Sequence, residues 1–350
     1  MLRQDIIDAI GKTPLVKLRL DAQAKGSVFA KLELLNPFGM KDRTAKTIIL
    51  NAKQTGELKD DAPIIESSSG TMAAGVALVG TYLGHEVHIV TDPRIDDITF
   101  KKLEAMGCKV HVVNKMTSHG WQSARLEKLA DLMKQFPNAF WPRQYENPYN
   151  PLAYRELADE LIEAIESVDI LVASVGSGGS LSGTASALKE RNPNLKVVAV
   201  DCVGSAIFGQ PDYPKRLQGG LGNSLVPLNV KHNIIDEVHW LNDEEAFAAT
   251  LELARKEKIF AGNSSGSVYA VARWLSSQVS DQTKIVAIFP DRGDRYVHTI
   301  YNEEYRLQNN VNELRLPQSP QQVPYNTVVK NWSYSLLKGE AIREKSLHLR

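Results

Sequence analysis

The sequence predicts an α/β protein whose parallel sheets carry helices on both faces. Short β-branched runs alternate with stretches of helical periodicity, as in the apolar run at 169–175 and the helix-like stretch that follows it. This alternation is typical of strand–helix–strand units, which build parallel sheets. At 350 residues the chain exceeds the size at which a single hydrophobic core stops growing, so two lobes are expected.

The same periodicity sets the order of the elements. Helices are predicted at residues 43–55, 73–83, 120–135, 154–165, 243–256 and 266–277. Strands are predicted at residues 27–34, 63–66, 86–91, 109–113, 139–144, 169–175, 196–201, 237–241 and 284–289. The segment from Gln308 onward loses periodicity, as a linker does, but apolar residues such as Trp332 return after Val328. We expect this last part, which runs to Arg350, to dock on the body of the protein or on a second subunit.

The charge balance excludes whole classes of partner. Lys and Arg total 41 and Asp and Glu total 41, so no net charge steers the chain to nucleic acid or to an acidic membrane. Cys108 and Cys202 are too few for a disulfide framework, and neither has a metal-ligand spacing. The N-terminus lacks the apolar core of a signal peptide, and no segment is apolar enough to span a bilayer. We therefore expect a cytoplasmic protein without a metal, membrane or nucleic-acid partner.

A lysine at a strand-to-helix corner is the first candidate for chemistry. The apolar run at 27–34 is followed by an Asn-Pro-x-Gly turn, and Lys41 comes at the first turn of a predicted helix. Partial burial at such a corner lowers the pKa of an amine, and only the neutral amine can form a Schiff base with an aldehyde cofactor. The alternative at this point is a solvated lysine at a helix start.

A glycine-rich loop is the second candidate. It lies between a buried strand and a helix, where backbone N–H groups can converge on a phosphate. The alternative is a dinucleotide fingerprint, whose ribose-binding acid would be Asp201. Since the third glycine of that fingerprint would fall at Leu181, a single phosphate is favoured. The residues expected to hold it are Gly176, Ser177, Gly178, Gly179 and Ser180.

Seven motifs together make the sequence recognisable. They are IGKTPL at 10–15, NPFGMKDR at 36–43, ESSSG at 66–70, QYENP at 144–148, VGSGGSLSG at 175–183, GNSSG at 262–266 and PDRGDRY at 290–296. With these motifs the chain resembles the cysteine synthase family of fold-type-II pyridoxal-phosphate enzymes over about residues 5–305. It is most similar to the branch that makes N-(2-amino-2-carboxyethyl)-L-glutamate from O-phosphoserine and glutamate.

The resemblance implies a role for the motif residues. Lys41 is expected to bind the cofactor pyridoxal 5'-phosphate and then to remove the substrate α-proton. Gly176 to Ser180 are expected to bind the cofactor phosphate. Thr71 stands where relatives have an asparagine that contacts the cofactor's phenolic oxygen. The residues implied for the substrate carboxylate are Ser68, Ser69, Gly70 and Thr71, here named the substrate loop, together with Gln144.

The resemblance also implies a division of the chain. Residues 1–43 and 147–305 would form a larger cofactor-binding lobe, and residues 44–146 a smaller inserted lobe that carries the substrate loop. Each lobe would contain a twisted, mostly parallel sheet flanked by helices. Residues 306–350 fall outside the resemblance as a C-terminal extension. Relatives are usually homodimers, so a homodimer is expected.

Three segments differ from the usual family pattern. One is the turn Gly39-Met40-Lys41, which is one residue short and lacks the serine that relatives have beside the lysine. The substrate loop continues as Thr71-Met72-Ala73, which we expect to enlarge that side of the site and make it more apolar. The usual serine opposite the pyridine nitrogen is replaced by Arg292, so the partner is either Ser264, which we favour, or Arg292 itself. Either leaves the ring nitrogen unprotonated, because serine is neutral and arginine only donates. A neutral ring suits α,β-elimination better than transamination.

The sequence therefore predicts an enzyme for β-substitution on small amino-acid substrates. O-Phosphoserine or O-acetylserine would lose its β-substituent to give an aminoacrylate, to which a nucleophile larger than sulfide adds. The alternative with the same cofactor is net β-elimination to pyruvate and ammonia. The alternatives from other classes are an NAD-dependent dehydrogenase and a non-catalytic paralogue.

Overall fold

Two sheets organise the computed structural model, which describes residues 2–117 and 120–337. The strands are β1 (Leu15–Lys17), β2 (Ser27–Lys31), β3 (Ile64–Ser67), β4 (Val87–Thr91), β5 (Lys109–Val112), β6 (Ile170–Ser174), β7 (Lys196–Cys202), β8 (Glu237–Leu241), β9 (Lys284–Ile288), β10 (Gln321–Gln322) and β11 (Ser333–Leu336). The helices are α1 (Lys41–Thr55), α2 (Thr71–Tyr82), α3 (Asp97–Ala105), α4 (Gly120–Gln135), α5 (Tyr149–Leu152), α6 (Arg155–Ile165), α7 (Gly179–Lys189), α8 (Asp243–Glu257), α9 (Asn263–Ser277) and α10 (Glu303–Gln308).

The larger sheet has the strand order β1-β2-β9-β6-β7-β8-β11-β10. Its five central strands, from β2 to β8, are parallel, whereas β1 and β11 are antiparallel to their neighbours β2 and β8. Successive residues of β6 alternate between two hydrophobic clusters, Leu171 in one and Val172 in the other. Both faces of the sheet are therefore covered, as a parallel sheet requires. This confirms the predicted alternation of parallel strands and helices.

The smaller sheet contains β3, β4 and β5, all parallel. It too is covered on both faces, because Ile64 packs in one cluster with α1 and α2 and Ile65 packs in another with α4. Its strands come from the segment between residues 64 and 112, within the stretch proposed as the smaller lobe. That residues 44–146 form a lobe separate from residues 1–43 and 147–305 stays a prediction.

Two of the predicted strands differ from the structure. The strand expected at 139–144 is wrong, because only Phe140 makes a β-bridge, to Ile64. Pro142 has no N–H to donate, and Arg143 has a φ of 53°, which breaks an extended chain. The strand expected at 27–34 ends at Lys31, and a 3₁₀ turn (Glu33–Leu35) follows, which buries the Glu33 carboxylate against Arg43 at 2.7 Å.

The C-terminal extension docks on the body of the protein as far as it is described. β11 pairs with β8, and Trp332 is buried with its Nε1 donating to His239 Nδ1 at 3.1 Å. Leu337 is also buried, whereas Leu336 is half-exposed. The remaining part of the extension, residues 338–350, lies outside the described residues.

Residues 2–117 and 120–337 contain neither a membrane-spanning helix nor a cluster of metal-ligating side chains. In these ranges no helix combines the length and the apolar character that crossing a bilayer requires. Within the same ranges no three His, Cys, Asp or Glu side chains are grouped so that they could hold a metal ion.

Candidate active site

The first turns of four helices meet at one cleft beside the large sheet. Lys41 opens α1, Thr71 opens α2, Ser180 lies in the first turn of α7 and Ser264 in that of α9. Helix N-termini present unpaired N–H groups and the positive end of the helix dipole, so their convergence favours an anionic ligand. The residues that line the cleft are Met40, Lys41, Thr71, Ser174, Gly176, Ser177, Ser180, Gly220, Ser264, Pro290 and Asp291.

Lys41 is the amine in this cleft. Its Nζ donates to Ser177 Oγ at 2.8 Å, and burial lowers its pKa to about 8. At neutral pH an appreciable fraction of Lys41 is therefore uncharged and nucleophilic. The turn before it is held by Asp42 Oδ2, which accepts from the N–H groups of Phe38 at 2.7 Å and Gly39 at 3.2 Å.

The glycine-rich loop needs its small residues because other segments press against it. Gly178 has a φ of 83°, and a Cβ there would lie 2.5 Å from Val230 Cγ2. A Cβ on Gly179 would lie 1.9 Å from Asn150 Oδ1, and Asn150 Nδ2 donates to Ser177 Oγ at 3.1 Å. In the described part of the chain no side chain caps α7 at Gly178, which leaves the first N–H groups of that helix for a ligand.

The substrate loop connects β3 to α2. Gly70 N donates to Ser68 Oγ at 3.2 Å, and Ser69 Oγ accepts from Arg125 Nη1 at 3.0 Å. Gln144 is buried, and its Nε2 donates to the carbonyl oxygen of Ser67 at 3.4 Å, directly beside the loop. Ser68, Ser69, Gly70, Thr71 and Gln144 are therefore neighbours, although Thr71 is the one of them that lines the cleft.

The two candidates for the pyridine nitrogen lie in different surroundings. Ser264 is buried and lines the cleft. Arg292 has a half-exposed side chain, and its Nε pairs with Asp294 Oδ2 at 3.0 Å. This geometry favours Ser264, and its contact with the ring stays a prediction.

The expectation for Met72 and Ala73 is wrong. Both side chains are buried in the hydrophobic cluster beneath α2, together with Ile48 and Val76. A helix turns by about 100° per residue, so the residues that follow Thr71 leave the cleft face at once. They therefore do not enlarge the site or make it more apolar.

Sequence reasoning also missed two charged residues. Asp291 is buried in the cleft wall, and its Oδ2 accepts from Arg295 Nη1 at 3.0 Å and from the Tyr296 hydroxyl at 2.8 Å. Its Oδ1 is buried without a hydrogen-bond partner among the described residues, and burial raises the carboxyl pKa. The PDRGDRY motif was the signal for Asp291. Arg125 carried no local signal, because its contact with Ser69 depends on how α4 packs.

These residues fit pyridoxal phosphate. The cleft supplies an amine of lowered pKa, hydroxyl groups at Ser177, Ser180 and Ser264, and free helix N–H groups for a phosphate. Fold and cleft thus define the class of α/β proteins with a buried amine beside a site for an anionic ligand, and the role of Lys41 in catalysis stays a prediction.

The comparison with protein families agrees. Residues 6–291 match the family described as pyridoxal-phosphate dependent enzymes, and the chain belongs to that family.

Three relatives show what the chain is similar to. It is 38% identical over 313 residues to N-(2-amino-2-carboxyethyl)-L-glutamate synthase from Cupriavidus metallidurans, which covers 87% of this chain and 92% of the relative. Its structure matches an O-acetylserine dependent cystathionine beta-synthase from Helicobacter pylori with a TM-score of 0.79 and 32% identity over 86% of this chain and 100% of the other. It also matches a cysteine synthase from Entamoeba histolytica with a TM-score of 0.81 and 26% identity over 89% of this chain and 96% of the other.

The comparisons decide several predictions. The fold-type-II architecture, the cofactor pyridoxal phosphate and the assignment as an enzyme of a cysteine synthase-like family are confirmed. They do not favour a nicotinamide dehydrogenase or a non-catalytic paralogue.

Proposed function

We propose that this protein catalyses β-substitution on an activated L-serine, with O-phosphoserine as the favoured donor and an amine-bearing amino acid as the second substrate. The observation that carries the proposal is the contact of Arg125 with Ser69. It brings a buried guanidinium to the substrate loop, beside the cleft that contains Lys41.

Lys41 performs the central proton transfer. When bound, pyridoxal phosphate supplies an electron sink for the bond between the substrate α-carbon and its proton. Lys41 Nζ removes that proton, and a pKa of about 8 lets the amine both accept and return it near neutral pH. The Ser177 hydroxyl accepts from Nζ and so orients one N–H bond of the amine.

The remaining cleft residues hold the reactants. Gly176 to Ser180 and the N-terminus of α7 bind the cofactor phosphate, and Ser264 meets the ring nitrogen. The N–H groups of the substrate loop, at the N-terminus of α2, bind the substrate carboxylate, with Gln144 beside them.

The charge around the substrate loop supports an anionic leaving group. Asp92 is buried and binds both Arg94, at 3.0 Å from Nε to Oδ1, and Arg125, at 3.2 Å from Nη1 to Oδ2. Two guanidinium groups thus share the Asp92 carboxylate. The buried Glu66 carboxyl also interacts with Arg125, but burial raises its pKa to about 7, so it offsets that positive charge only in part near neutral pH. A phosphate on the donor would be attracted by the positive charge of Arg125, whereas a neutral acetyl group would not.

The second substrate is proposed from similarity. The relative from Cupriavidus metallidurans is named for a product that contains glutamate, so L-glutamate is the nucleophile we propose for this chain. The apolar enlargement expected at Met72 gives no support, because that side chain lies in the core.

A titration of the purified holoenzyme tests the proposal. O-Phosphoserine should change the cofactor absorbance at lower concentration than O-acetylserine, and L-glutamate should then restore the starting spectrum while sulfide restores it more slowly. The substitution reaction would be excluded if neither ester changed the spectrum while cysteine was converted to pyruvate and sulfide.

We also propose a homodimer in a reducing, cytoplasmic setting. Family resemblance supports the dimer, and two free cysteines, Cys108 and Cys202, are in keeping with a reducing compartment. Sedimentation equilibrium would test the dimer, since a single species of 38.8 kDa would contradict it.

A further inference from the structure

We propose that Arg295 is a positioning residue that fixes the substrate loop against the cleft by binding the first turn of α3. The inference rests on the proposed function, because the loop matters only if it binds the donor. Among the described residues, no hydrogen bond or ion pair joins Arg295 to Lys41 or to the glycine-rich loop.

The Arg295 guanidinium joins two parts of the chain. On one side its Nη1 donates to Asp291 Oδ2 at 3.0 Å, and Asp291 lines the cleft. On the other side its Nε donates to Asp96 Oδ2 at 3.0 Å and to Thr99 Oγ1 at 3.2 Å. The side chain is 16% exposed, so these charged contacts are shielded from water. A planar guanidinium with several fixed donors can hold all three acceptors, which an ammonium group could not do in the same geometry.

The guanidinium lies on the side of Gly70 to which a side chain would point. A Cβ on Gly70 would lie 3.4 Å from Arg295 Nη2 and 3.8 Å from Nη1. The guanidinium therefore closes the space beside Gly70, where it leaves room for a methyl group at most, and a shift of Arg295 would open that space next to the loop.

Asp96 has two separate tasks. Its Oδ1 accepts from Thr99 N at 2.8 Å and caps α3, while its Oδ2 binds Arg295. An asparagine keeps an oxygen for the cap, since Asn and Asp are equally good N-caps, but it loses the charge that holds Arg295. The variant Asp96→Asn therefore separates the two tasks.

The first experiment compares Asp96→Asn with Asp97→Asn in the holoenzyme. Asp97 is exposed in the same helix turn, so its variant controls for the loss of a negative charge at the start of α3. We expect Asp96→Asn to raise the KM for the serine ester on the order of tenfold, with a smaller change in kcat and full cofactor occupancy. Asp97→Asn should leave all three at the wild-type values.

A second readout does not depend on turnover. Hydrogen exchange of the backbone amides at residues 68–74 should be faster in Asp96→Asn and in Arg295→Lys than in wild type, because the loop loses its support. The amides of residues 176–182 should exchange at the wild-type rate in all variants.

The outcomes separate this inference from the proposed function. If neither serine ester changes the wild-type spectrum, the proposed function fails, while exchange at 68–74 still decides whether Arg295 supports the loop. If wild type responds but Asp96→Asn matches it in KM and in exchange, Arg295 has no positioning role. Loss of cofactor from Asp96→Asn would also overturn the inference, since it would reveal a general structural effect.

Discussion

Lys41 Nζ lies 2.8 Å from Ser177 Oγ, although the two residues are 136 positions apart in the chain. The fold thus brings the amine and the glycine-rich loop together, because the first residue of α1 meets the turn between β6 and α7. The contact also means that the amine has a fixed direction before any ligand binds.

The lowered pKa of Lys41 predicts how the apoprotein captures its cofactor. Only the neutral amine attacks an aldehyde, so the capture rate should rise with pH and level off above about pH 8, where Lys41 is deprotonated. Below that value the rate should fall about tenfold for each pH unit. This capture rate is measured by stopped-flow absorbance after apoprotein is mixed with pyridoxal phosphate. A midpoint near the value for a free lysine would contradict the role of burial.

Gly178 should be intolerant of any side chain. Gly178→Ala adds a positive-φ penalty of roughly 1–2 kcal/mol and a clash with Val230 that costs about 1–3 kcal/mol more. We expect a lower Tm and loss of bound cofactor, measured by unfolding and by absorbance. The sequence predicts that a Cβ at Gly178 would occupy space the phosphate needs, and the structure adds a clash with Val230.

Gly84→Ala is the matched control for Gly178→Ala. Gly84 has a φ of 84°, nearly that of Gly178, but a Cβ there would meet nothing within 4 Å. It should show the positive-φ penalty alone and keep its cofactor. Equal cofactor retention in the two variants would show that the glycine-rich loop does not bind the cofactor phosphate.

Ser264 and Arg292 should differ sharply on substitution. Ser264→Ala should lower turnover on the order of tenfold, because a hydrogen bond to a buried ring acceptor is worth about 1–3 kcal/mol. Arg292→Ala should be nearly silent, since its exposed pair with Asp294 contributes about 1 kcal/mol or less. Steady-state kinetics of both variants test this prediction. A larger loss of turnover in Arg292→Ala than in Ser264→Ala would mean that Arg292, not Ser264, contacts the ring nitrogen.

Arg125 should set the preference for the donor. Arg125→Gln removes the positive charge beside Ser69, so the KM for O-phosphoserine should rise about tenfold more than that for O-acetylserine. Arg155→Gln, which breaks an exposed pair with Glu190, is the control and should change neither KM. An equal rise for both donors would mean that Arg125 only supports the loop.

The sequence predicted best the elements whose periodicity is strong and whose pairing is simple. The strand at 237–241 and the helix at 120–135 have the predicted bounds. The helix Asp97–Ala105 is short, and α10 is shorter still, so neither gave a periodic signal. β10 and β11 are ordered by pairing at the edge next to β8, which no local pattern encodes.

The residues of the candidate site also fall into two groups, those that a local pattern indicated and those that depend on tertiary packing. Lys41, the glycine-rich loop and the substrate loop each lie at an element boundary and carry a local motif, so the sequence indicated them. Arg125 and Arg295 act through contacts with Ser69 and Asp96 that exist only after distant segments pack. Met72 was misjudged because neighbours along a helix do not share a face.

The sheet order has a consequence for biosynthesis. β3, β4 and β5 are consecutive in the chain, so the small sheet can close on the ribosome as soon as its last strand emerges. β2, by contrast, is made early but pairs with β9, which is translated near the end of the described chain. Until then the apolar strand Ser27–Lys31 has one edge without its partner, and an unpaired apolar edge is a substrate for chaperones and for aggregation. Slow release of a nascent chain would therefore endanger the N-terminal strands most, even though they are the first to be synthesised.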